Sequence, residues 1–77
     1  MPRYFFHIRN PGEGLVLDDE GAEFEDLQAA QHEARETVRD LVVESIRCSR
    51  TIQGLGVEIV DEAGKVLETV AARETFD

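Results

Sequence analysis

Pro2-Arg3-Tyr4-Phe5-Phe6-His7-Ile8-Arg9 holds three of the chain's five aromatic residues. It reads as a β-strand, and a strand turns successive side chains to opposite faces. Tyr4, Phe6 and Ile8 then share one face, and Phe5, His7 and Arg9 share the other. One face is wholly apolar, while the second sets a large aromatic beside a titratable imidazole. Such a strand belongs at the centre of a sheet or exposes apolar surface to a partner.

Outward from it, Asn10-Pro11-Gly12-Glu13-Gly14 is a turn, because Pro lacks an amide hydrogen and Gly accepts positive φ. Leu15-Val16-Leu17 returns as a short strand, with Leu15 and Leu17 on one side, so the chain opens with a hairpin. Asp18-Asp19-Glu20-Gly21 ends that strand. Asp26 is placed to cap a helix that the spacing predicts over about 27–47. At 100° per residue, Ala30, Ala34, Val38, Leu41 and Ser45 lie within about 60° of Leu27, with Val42 at the margin of the stripe. Val43 falls on the outer side. Ser49 to Gly56 reads as a connection with two glycine breakers, and Val57-Glu58-Ile59-Val60-Asp61 as a third strand. Glu62-Ala63-Gly64-Lys65 is a tight turn, and Val66 to Val70 a fourth strand. Arg73 to Asp77 is expected to form a polar tail.

The predicted class is therefore α+β. It is a two-layer β-β-α-β-β unit with strands about 3–9, 15–18, 57–61 and 66–70, and one helix on one face. Residues 1–77 are expected to form a single domain. If the helix runs antiparallel to strand two, placing strand three beside strand one makes every neighbour antiparallel, in order 2-1-3-4. Strand one is then central. A lone helix covers one sheet face, so Phe5, Val16, Val60 and Leu67 are expected on the other. An apolar patch of that kind is rarely left bare by a monomer. At 77 residues the core is also small, which a second copy would remedy.

A formal charge of −9 opposes binding to the phosphate backbone, which needs clustered Lys and Arg. The same repulsion disfavours anionic membranes. No apolar run approaches the roughly 20 residues that span a bilayer, and the N-terminus lacks a secretory pattern. With Cys48 alone, no internal disulfide can form, and a reducing, cytoplasmic setting is expected.

No candidate chemistry outweighs a structural reading. Asp18, Asp19, Glu20, Glu23, Glu25 and Asp26 lack the spacing of a calcium loop, and acids before a helix stabilise its positive end. His7 has no nucleophile or orienting partner near it in sequence, and His32 lies on the polar side of the helix. Cys48, at a helix C-terminus on the core-facing stripe, reads as an inert, partly buried thiol. No catalytic residue, metal ligand or cofactor is predicted. The expected function is a non-enzymatic, homodimerising interaction or regulatory module, with Phe5, His7, Arg9, Val16 and Val60 as the candidate interface. A small-ligand or enzymatic site using His7, Arg9 and the acidic loop is the alternative, and nucleic-acid binding ranks below it.

The opening Met1-Pro2-Arg3-Tyr4-Phe5-Phe6-His7-Ile8-Arg9 resembles that of a family of small bacterial proteins of unknown function, common in alphaproteobacteria. The likeness continues through Asp18-Asp19-Glu20-Gly21, the Ala29-Ala30 and Glu33-Ala34 steps, and Val57 to Leu67. It spans nearly the whole chain, so a complete stand-alone α+β domain is expected. The resemblance implies no assigned activity and supplies no catalytic residues.

Overall fold

The computed structural model describes residues 1–48 and 52–75. Along the chain lie β1 (Arg3–Asn10), β2 (Gly14–Val16), β3 (Ala22–Glu23), α1 (Leu27–Arg47), β4 (Gly56–Val60), β5 (Val66–Ala71) and α2 (Ala72–Thr75). The fold is α+β: α1 packs on one face of an open antiparallel sheet ordered β2-β1-β4-β5. Four strands were expected, and the sheet has five. Ala22 and Glu23 pair with Tyr4 and Arg3, so β3 shares with β2 the side of β1 that faces away from β4.

Asp26 starts α1 by accepting the Ala29 N–H at 2.9 Å, which satisfies one of the four amides a helix start leaves unpaired. The helix buries Ala30, Ala34, Val38 and Val42. Val42 was expected at the margin of the stripe and Leu41 within it, yet Val42 is buried and Leu41 packs at the periphery. A ridge of residues four apart drifts around the helix axis, and this ridge is the one laid on the sheet. Its small residues, Ala30 and Ala34, let the backbone approach closely.

The deepest strand is β4, buried at all five positions, because β1 and β5 flank it along its length. On β1, Tyr4 joins the buried core while Phe6 and Ile8 pack against it. Phe24, just after β3, stacks on Phe6 with ring centroids 5.6 Å apart and tilts against Tyr4 at 6.1 Å. Such aromatic pairs contribute about 0.5–1.5 kcal/mol beyond their buried area.

Two residues expected on the uncovered face lie elsewhere. Val16 pairs with Ile8, and directly opposed residues point to the same side, so Val16 lies on the helix side of the sheet. Leu67 is the extra residue of a bulge, since Ile59 pairs with Glu68 and Val60 with Val66. The bulge breaks the strict alternation, and Leu67 packs against the core. The C-terminal segment also differs from a polar tail. Residues 72–75 form α2, which the Ala72 N–H ties to the Leu55 carbonyl at 2.8 Å. Cys48 is exposed rather than partly buried, because the helix ends at Arg47 and leaves the thiol at the C-cap. Residues 49–51 and 76–77, including part of the expected connection and Phe76, lie outside the described residues.

Candidate functional site

The face away from α1 is built in rows by the register. Phe5 lies opposite Val60, His7 opposite Glu58, and Arg9 opposite Gly56. β5 extends the last two rows with Thr69 and Ala71, and β2 adds Leu15 beside Arg9. Phe5, His7, Arg9 and Val60 therefore come together as expected, and Val16 does not join them. The face is less bare than its composition suggests. Val60 is buried, and the ring of Phe5 lies against Gly21, where a Cβ would come within 2.9 Å of it.

Three of its polar residues, Glu58, Arg9 and His7, are already engaged. Glu58 is only 7% exposed, and Arg9 supports it by donating from Nε at 2.7 Å to Oε2, with a second guanidinium nitrogen on the same oxygen. A carboxylate so buried on a sheet needs a paired charge to offset its desolvation. His7 accepts the Asp18 backbone N–H on Nδ1 at 3.0 Å. That contact requires an unprotonated Nδ1, which leaves the proton of a neutral ring on Nε2.

Asp18 is the keystone of this edge. Its carboxylate accepts the N–H groups of Phe6, Glu20 and Gly21, each at 3.1 Å. It bonds β1 at Phe6, between the stretch that β2 covers and the stretch that β3 covers. Burial acts to raise the Asp18 pKa. The amides of Gly21, Phe6 and Glu20 together outweigh burial and hold it below the ordinary carboxylate value. Gly21 follows at φ +67°, with the Tyr4 carbonyl 2.8 Å from where a Cβ would stand, so the turn admits only glycine comfortably.

The remaining acids of this segment do not converge. Asp26 caps α1, Glu23 lies 3.7 Å from Arg3, and no group of three potential metal ligands occurs among the described residues. His32 is exposed, 3.8 Å from Glu36 one helical turn on. No helix of the described residues is long and apolar enough to cross a membrane.

Two features escape a linear reading. One is the edge itself: Leu15, Val16 and Leu17 are 47%, 43% and 61% exposed at the outer margin of the sheet. The other is a cleft of about 600 Å³ beneath Arg9, lined by Ile52, Leu55, Thr69, Ala72 and Arg73 among others. A smaller hollow of about 230 Å³ shares Arg9 and Gly54 with it and runs toward Leu15. The cleft exists because α2 turns back onto the 52–55 loop, and four residues carry too little periodicity to announce a helix.

No curated protein and no solved structure matches this chain. The model of one family does, over residues 3–73, and the chain accordingly belongs to the domain of unknown function DUF6894.

Proposed function

We propose that the protein is a cytosolic, non-enzymatic interaction or regulatory module that homodimerises, and that β2 is its contact strand. The observation that carries this reading is the exposed Leu15-Val16-Leu17 triplet on and directly after a strand at the end of the sheet order. Edge strands present unpaired N–H and C=O groups, and proteins ordinarily blunt them with charge, Pro or a covering segment. Here the edge itself carries three aliphatic side chains. Antiparallel pairing about a two-fold axis at Val16 would set Leu15 against the partner's Leu17 and join two sheets into one. Phe5 and Val60 support a face contact less well, since both are largely covered within the chain.

A three-residue strand forms a small contact, so a weak dimer is expected, with Kd on the order of micromolar or above. Each copy carries −9, and Glu13, Asp18 and Asp19 flank the strand, so added salt should screen repulsion and strengthen association. Sedimentation equilibrium from about 5 to 500 μM tests the reading. Dimer formation that is lost in Leu15→Lys and strengthened by salt is expected. A monomer throughout that range refutes homodimerisation.

The ligand reading that combines His7, Arg9 and the acidic loop is weaker. Both side chains are held by internal partners, and of the acids Asp18 is engaged in turn formation and Asp26 in capping.

A further inference from the structure

We propose that the cleft beneath Arg9 is a binding site for a small organic carboxylate with an apolar body. This inference is independent of β2 pairing, because the triplet at 15–17 contributes nothing to the cleft wall. Three observations meet there. The volume, about 600 Å³, lies within the ~300–1,000 Å³ typical of small-ligand sites. The walls are mainly apolar or backbone: Ile52, Leu55 and Ala72 from the loop and α2, with Gly56 and Ala71 as the sheet floor. The lining runs against the charge of the rest of the molecule, with Arg9 offset by Glu58 and Arg73 carrying the remaining positive charge. Among the ten described lining residues two are arginines and none is an acid, whereas ten residues drawn at random from this chain would include about two acids.

The arginines have different states. Arg9 is fixed by Glu58, which consumes part of its donor fork and presets the position of the rest. Arg73 is exposed on α2, and no described carboxylate pairs with it. A guanidinium offers the planar two-donor geometry that a carboxylate accepts. Thr69 adds a hydroxyl from the row that holds Glu58. The aliphatic part of the ligand would cover Ile52, Leu55 and Ala72, and its head would lie between Arg9 and Arg73.

Sodium octanoate is the probe, titrated into the ¹⁵N-labelled full chain, with 1-octanol as the neutral control. Octanoate should produce saturable amide shifts at Gly54, Gly56, Thr69, Ala71 and Arg73, with Kd about 0.1–1 mM. Octanol should bind about tenfold more weakly, the loss expected without a charge-assisted hydrogen bond. Arg73→Gln should weaken octanoate about tenfold with an unchanged melting temperature, because that side chain is exposed and α2 is tied down by backbone. Arg73→Lys should recover part of the affinity. No saturable shift below about 10 mM, equal affinity for octanol, shifts outside the cleft, or full affinity in Arg73→Gln would each overturn the proposal.

Discussion

Asp18→Ala removes one carboxylate that three backbone N–H groups share. The Phe6 and Gly21 amides are partly buried, so each loses a bond worth about 1 kcal/mol and pays about a further 0.5 kcal/mol for incomplete access to water. The Glu20 amide is exposed and returns to solvent at little cost. The total comes to about 3 kcal/mol, a large share of the ~4–12 kcal/mol expected of a 77-residue domain. At about 4–8 °C per kcal/mol for this size, the melting temperature should fall by about 12–24 °C. Asp18→Asn keeps the volume, yet its amide offers an oxygen to only one side, Phe6 or the Glu20–Gly21 pair, and should cost about half as much. The pH dependence follows from the lowered carboxyl. A group whose pKa is depressed by folding stabilises the native state above its unfolded pKa, near 3.9 for Asp, and loses that contribution as pH falls through the folded value. The gap between parent and Asp18→Asn should therefore be full at pH 7 and shrink below about pH 4. Urea denaturation followed by far-UV circular dichroism at a series of pH values measures both quantities. Melting within about 2 °C of the parent, or a gap as wide at pH 3 as at pH 7, would refute the keystone role.

Gly21→Ala should destabilise by about 2–4 kcal/mol, because positive φ and a backbone overlap with the Tyr4 carbonyl act together; a change under about 0.5 kcal/mol in urea midpoint analysis would contradict this. Arg9→Ala should cost about 1–3 kcal/mol by leaving buried Glu58 unpaired, and more than Glu58→Gln, which leaves the exposed arginine free to hydrate; the reverse order in thermal melts would count against a buried-charge explanation. Cys48 should react with Ellman's reagent in the native protein within about threefold of its rate in urea, as exposure predicts, and native protection of tenfold or more would show the thiol to be covered. Leu15→Lys and Leu17→Lys should leave the fold intact, since both side chains are exposed, with melting temperatures within about 3 °C of the parent at monomeric concentration.

The α+β class was legible because periodicity survives in a single sequence. Ala30, Ala34 and Val38 recur at helical spacing behind an Asp cap, and strand alternation separates Tyr4, Phe6 and Ile8 from Phe5, His7 and Arg9. Where pairing intervened, the alternation stopped being a guide. Leu67 moved to the core side because one extra residue in β5 shifts the register past Ile59. Val16 left the expected face because the hairpin set it opposite Ile8. The acidic run concealed three separate tasks, a cap at Asp26, an amide anchor at Asp18 and a short strand at Ala22–Glu23 that delivers Phe24 to Tyr4 and Phe6. Composition registered only its charge.

By itself the sequence determined what depends on neighbours a few residues apart: the class of fold, the helix and its cap, the turns, and the two faces of the aromatic strand. Tertiary structure alone decided which chemistry meets. Arg9 and Glu58 stand 49 residues apart in the chain, and Arg9 and Arg73 share a cleft only after β4, β5 and α2 have folded back. Register and long-range closure are collective outcomes of packing, and no local pattern encodes them.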